Sequence, residues 1–281
     1  LKGINITPGV NYASEDARYV NVDGIANISK GILEGLSITG GCNYASEEIV
    51  GIGIGPANVS DNLIGLFIHG LGGLKNSKLK GVATGGVGIY GNIDGVVLEA
   101  VNVNRELKGI SFSPLTVSKE KSDGFVFSVL GSWLGYHRGV NISGLGTLAR
   151  DYYGFGASGI FGIIERLRGF FLSPFTIIND NTKGGVAGLY TEVKGGYGGT
   201  LGLVNNVRNF GGVTFGLVNI SNNNDKYVNF GLVNISRNNK QSVHFGLVNI
   251  IEECNSSIHF GLINIIKTSK GVKFFPFMFC G

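Results

Sequence analysis

A six-residue phrase returning at fixed spacing limits what this chain can fold into more than any other feature. Phe-Gly-Leu-Val-Asn-Ile stands at 215–220, 230–235 and 245–250, and Phe-Gly-Leu-Ile-Asn-Ile follows at 260–265. The interval is 15 residues each time. A fixed period of this length signals a repeat architecture, in which each unit buries its side chains only by stacking on its neighbours. With Gly212 as position 1, Phe215 as position 4 and Asn219 as position 8, unit starts fall at 3, 19, 35, 51, 65, 81, 95, 109, 124, 139, 154, 169, 184, 198, 212, 227, 242, 257 and 271. These 19 starts lie 14 to 16 residues apart, 14.9 on average, so the chain is one continuous repeat domain over 1–281, strongest at 198–279.

Within a unit, positions 2 and 4 are apolar (Ile52 and Ile54, Phe125 and Phe127), which is the alternation of a strand with one buried face. The next apolar positions are 7 and 9 (Val101 and Val103, Val218 and Ile220), so the alternation changes phase in between. All five prolines, Pro8, Pro56, Pro114, Pro174 and Pro276, fall at position 6. Proline is kept out of strand interiors, so positions 5 and 6 are expected to form a corner, with Gly at position 5 (Gly188, Gly202, Gly216) supplying unusual dihedrals. Polar turns close the unit, as in Ser221-Asn-Asn-Asn-Asp-Lys226.

The expected fold is all-β: a single-chain β-solenoid of about 19 coils of 14–16 residues, its core made by positions 2, 4, 7 and 9. The alternative is a transmembrane β-barrel with one strand per repeat. Three features favour the solenoid. A barrel strand would send positions 7 and 9 into a polar lumen, proline would sit in mid-strand, and only parallel neighbours turn identical phrases into Phe and Asn ladders. On the other side stand a mean hydropathy of +0.23 and a run of Leu at position 6 (Leu203, Leu217, Leu232, Leu247, Leu262) that the corner leaves exposed.

Composition narrows the function. Gly makes up 48 of 281 residues, about 17% against an average near 7%, and charged residues only 15% against about 25%. A scattered net charge of +4 gives no nucleic-acid footprint. The most apolar segments, such as 169–178, are half the length of a spanning helix. Leu1 leads straight into the first unit, which fits either a mature form cleared of its targeting segment or a cytoplasmic chain. The three cysteines, Cys42, Cys254 and Cys280, occupy different unit positions and read as small apolar fillers or free thiols.

The search for chemistry yields little. Gly51-Ile-Gly-Ile-Gly55 and Gly70-Leu-Gly-Gly73 look like phosphate cradles, but the repeat explains their glycines and no helix follows. His244 and His259 share position 3 and would stack about 5 Å apart, as two surface histidines without a third metal ligand. His69 falls at a corner and His137 in a turn, so no catalytic triad assembles. Asn-x-Ser/Thr at Asn5, Asn27, Asn58, Asn141, Asn219, Asn234 and Asn255 reads as Asn satisfying backbone groups rather than as glycosylation sites. Trp133, Tyr136 and Asp151-Tyr152-Tyr153 cluster aromatics on one side, where a glycan could stack. No cofactor, no metal and no enzymatic activity are expected.

The Gly-φ-x-φ-Gly-φ-φ-Asn unit at 212–219 and the closing segment Val272-Lys-Phe-Phe-Pro-Phe-Met-Phe279 resemble the bacterial surface-repeat proteins built of tandem G-L-V-N or G-L-x-N units. The resemblance covers most of the chain and implies a place at the cell surface or outer membrane, with no catalytic residues to carry over. The resulting expectation is a non-enzymatic structural or interaction protein. Its contacts would be Leu203, Leu217, Leu232, Leu247 and Leu262 along one side and Phe275 and Phe277 at the end, giving homo-oligomers or filaments and outer-membrane association. An outer-membrane pore and a glycan-binding protein are the alternatives.

Overall fold

A computed structural model describes residues 2–73, 77–252, 255–268 and 271–280, with 255, 268 and 275–280 described in backbone only. About 88% of it is strand, wound into about 17 stacked turns of a β-solenoid. Contacts divide it into two compact units, Leu1–Ser143 and Gly144–Gly281. Within each unit a coil pairs in parallel with the next, with the register that the repeat sets: Gly51↔Gly65↔Gly81 in the first unit, Phe215↔Phe230↔Phe245↔Phe260 in the second. Parallel neighbours rule out the barrel, in which successive strands run antiparallel, and with it the pore. The turns number fewer than the unit starts partly because Gly271–Cys280 adds no coil. It doubles back antiparallel along Asn255–Thr268.

The phase change between positions 4 and 7 is present, but the two sides are exchanged. In the coil that starts at Gly95, the buried residues are Val97, Glu99, Asn102, Asn104 and Leu107, at positions 3, 5, 8, 10 and 13. Val96, Leu98, Val101 and Val103, at positions 2, 4, 7 and 9, face outward. The expectation that positions 2, 4, 7 and 9 form the core is therefore corrected. A coil of about 15 residues is too narrow to hold four branched or aromatic side chains facing one another, so Asn, Ser, Thr, Ala and Gly line it instead. Where a large side chain does point in, glycines make its room. A Cβ on Gly53 would lie 2.9 Å from the Phe67 ring, and Phe171 fills space left by Gly156 and Gly162.

The role of glycine is corrected too. Position 5 needs no special dihedral: Gly231 has an ordinary φ, and its missing Cβ leaves space for the amides of Asn219 and Asn234. Most of the left-handed glycines are at position 1, and those at position 1 from Gly51 to Gly139 in the first unit and from Gly154 to Gly212 in the second have φ between 115° and 155°. Each lies so close under the coil before it that a side chain would strike the preceding glycine's carbonyl, as at Gly109 against Gly95.

The first unit adds an apolar ladder inside the turn side, Leu33↔Ile49↔Leu63↔Leu79. Both units thread asparagine ladders through the interior. Asn27 donates to Asn43 at 2.9 Å and Asn43 to Asn58 at 2.8 Å. In the second unit Asn205, Asn219, Asn234, Asn249 and Asn264 form four links of 2.7–2.9 Å. All of these amides but that of Asn264 also reach a backbone carbonyl one coil on, Asn219 to Phe230 at 3.0 Å for instance. Every buried Asn of these ladders thus works as a coil-to-coil clamp.

Candidate functional site

With small and polar side chains inward, the apolar ones have nowhere to go but out. In the second unit Phe215, Phe230, Phe245 and Phe260 stack from coil to coil at centroid separations of 4.9 Å, with nearly parallel rings, and each is 36–46% exposed. At the corner, Leu203, Leu217, Leu232 and Leu247 are about half exposed and Leu262 is 75% exposed. Past the corner the second strand presents Val218, Val233, Val248 and Ile263. The first unit repeats the arrangement with Leu66, Leu98, Phe112 and Phe127 before the corner and Leu71 and Leu115 after it. Two strands and a corner of each coil therefore show apolar side chains to the outside, far beyond the single apolar residues that ordinary surfaces carry.

Most exposed charge stands on the remaining side, the turn. Arg105 is clamped to Glu120, Arg166 to Asp151 at 2.6 Å and Arg237 to Glu252 at 2.8 Å, each pair spanning adjacent coils. Arg168 sits over the Tyr153 ring at 5.1 Å and Lys183 over the Tyr197 ring at 5.6 Å. Around them lies a polar groove lined by Asp151, Tyr153, Arg166, Arg168, Asp180 and Lys183. Among the described residues neither Arg168 nor Lys183 stands in an ion pair.

Residues with reactive side chains lie inside. His244 and His259 do stack, with ring centroids 4.8 Å apart, but both are fully buried rather than on the surface. His244 meets Asn229 at 3.0 Å through Nδ1, and Ser242 and Ser236 at 3.0 and 3.2 Å through Nε2. Burial, with the neighbouring His259 adding to it, pushes the His244 pKa down to about 3, and burial holds His259 at about 4. His137 is held at about 4 in the same way.

The repeat register missed one cluster. Tyr90 donates to Glu99 Oε1 at 2.7 Å, and His69 Nε2 meets the same oxygen at 3.0 Å, all three buried within the first unit. Burial and the Glu99 charge push the Tyr90 hydroxyl pKa up. The carboxylate lies against Gly88 and the imidazole against Gly72, where any Cβ would collide with them. The hint in the sequence is that His69 and Glu99 both occupy position 5, which most coils give to Ser, Thr or Gly.

The remaining sequence candidates separate cleanly. Leu203, Leu217, Leu232, Leu247 and Leu262 share one outer edge. Phe275 and Phe277 lie in the returning strand Gly271–Cys280, where their side chains fall outside the described ones. Trp133 is 63% exposed and Tyr136 and Tyr153 are half-buried, whereas Tyr152 is wholly buried against Phe171. Asn27, Asn58, Asn141, Asn219 and Asn234 are buried and hydrogen-bonded, and Asn255 lies outside the described side chains. Cys42 is a half-buried free thiol with its pKa raised by burial, while Cys254 and the side chain of Cys280 lie outside the described set.

No protein-family model, no curated protein and no solved structure matches this chain.

Proposed function

We propose that this chain is a non-enzymatic structural or interaction protein of a bacterial cell surface, and that it works through the apolar side chains on the outside of its coils. One observation carries the reading: the four histidines and the Tyr90–Glu99 pair are buried, while the exterior offers ladders of Phe, Leu, Val and Ile. Ladders of this kind gain free energy only when something removes them from water. The surface location rests on the resemblance of the unit at 212–219 to tandem surface repeats. Lateral association uses the Leu203 to Leu262 edge. The strand Gly271–Cys280, which carries Phe275 and Phe277, covers the end of the parallel stack and offers its own outer edge to another copy.

Sedimentation velocity in detergent-free buffer tests the reading. The expected result is species heavier than the 29.6 kDa monomer. Replacing Leu217 and Leu232 together by Asp should shift them towards the monomer. A wild-type protein that stays monomeric and binds no hydrophobic dye overturns the proposal, as would reproducible turnover abolished by changing one polar residue.

A further inference from the structure

We infer that the second unit, 144–281, rests with its apolar sides in the acyl layer of an anionic lipid surface and its turn side at the headgroups. This inference rests on the reading of the outer ladders as a contact surface, and it names what covers them.

The extent of the apolar exterior selects a lipid phase over a second copy. Phe215 and its ladder leave one strand, Leu217 and its ladder leave the corner, and Val218 and its ladder leave the next strand, so the apolar side chains point in several directions around each coil. A copy docking side by side covers one of these directions, whereas a fluid acyl layer covers all of them at once. The backbone permits it, because parallel pairing uses the N–H and C=O groups of every coil between Phe210 and Arg237, and the interior asparagines bond one another.

Charge supplies the orientation. Residues 144–281 hold twelve Lys and Arg against seven Asp and Glu, while 1–143 hold eleven against twelve. In the second unit the exposed cations, among them Arg150, Arg168, Lys183, Arg208 and Lys240, stand on the turn side. Glu192 is the exception, half-buried on the second strand, where the Tyr190 hydroxyl donates to it at 3.2 Å. Arg168 and Lys183, partnered by the rings of Tyr153 and Tyr197 rather than by carboxylates, are free to take phosphate oxygens. Tyrosines at the border between an apolar body and a cationic rim occupy the position that amphipathic rings favour at a membrane interface.

The test is flotation of the full-length wild-type protein with phosphatidylcholine vesicles, with and without phosphatidylglycerol. A companion measurement uses a Trp133→Phe, Phe230→Trp protein and acyl-brominated lipid, because Trp133 is the one tryptophan of the chain. Co-flotation that strengthens with phosphatidylglycerol, together with quenching of the tryptophan at 230, is expected. An Arg168→Ser, Lys183→Ser protein should lose on the order of thirtyfold in affinity for the anionic vesicles and little for the neutral ones. Soluble oligomers that do not float and whose tryptophan at 230 is not quenched overturn the lipid inference and leave the proposed function standing. A dispersed monomer that neither floats nor binds dye overturns both. Equal flotation with neutral and anionic vesicles, unchanged in the Arg168→Ser, Lys183→Ser protein, overturns the assignment of the turn side to the headgroups.

Discussion

Coils 51–139 of the first unit and coils 227–264 of the second close the same loop of chain by different means. In the first set a glycine at position 1 takes a φ of 115–155° and lies directly beneath the carbonyl of the glycine before it, so that no side chain fits. In the second set the left-handed residue moves one place upstream, to Lys226, Gln241 and Ser256, with φ of 49–52°. Position 1 is thereby released to carry Tyr227, Ser242 and Ser257, all buried. The interiors follow suit. The first set packs a Leu and Ile ladder beside one buried ionic cluster, while the second packs Asn, Ser and His in register. Whether the left-handed residue at the start of a coil must be glycine thus depends on how close the neighbouring coil comes.

The largest test of that contrast sets Gly109→Val against Gln241→Gly. The valine at 109 must adopt a φ of 131° and strike the Gly95 carbonyl, which should cost several kcal/mol and lower the urea midpoint sharply. At 241 the backbone is already tolerable to a side chain, so glycine should change stability by less than about 1 kcal/mol. Comparable midpoints for the two variants would erase the distinction between the two kinds of coil.

Acid should weaken the second region through its histidines. His244 and His259 have folded pKa values of about 3 and about 4, below the unfolded value near 6.5. The unfolded chain therefore takes up protons that the folded chain refuses. Stability is fully present above pH 6.5 and falls by about 1.4 kcal/mol per pH unit per histidine as the pH drops towards 4. Unfolding free energies of the wild type should thus drop by about 3 kcal/mol more between pH 6.5 and 5 than those of a His244→Gln, His259→Gln protein, which retains His137 as its remaining depressed histidine. Parallel pH profiles would mean that these rings are not neutral in the folded state.

The smallest effect asks whether the asparagine ladders are equivalent despite their different surroundings. Asn234→Ala removes links to Asn219, Asn249 and the Phe245 carbonyl, and Asn43→Ala removes links to Asn27, Asn58 and the Ile54 carbonyl. Each should cost about 2–3 kcal/mol, because bonding groups are left buried without partners. A cost at Asn43 much below that at Asn234 would show that the apolar ladder of the first unit carries what the amides carry in the second.

Much of this was legible from residues alone. The 15-residue interval fixed the parallel register, since identical phrases pair only when coils stack in one direction, and Phe215↔Phe230 and Asn219↔Asn234 pair as that interval requires. The phase change around proline and the polar turns is likewise written in the order of residue types. The His69, Tyr90 and Glu99 cluster was not, because it joins three coils at positions that the repeat normally gives to small residues, and only their meeting makes them a unit.

The sequence by itself determined that two alternating faces exist and where the alternation changes phase. It did not say which face is inside. Apolar burial argues for positions 2, 4, 7 and 9, and that holds wherever a strand packs against a second layer with room to match it. Here the opposing layer is the same coil, a few residues further on, and the width of one 15-residue loop admits Asn, Ser, Thr and Gly but not facing rows of Phe, Leu and Ile. Only closure of the coil in three dimensions sets that width, and so it turned the apolar face outward.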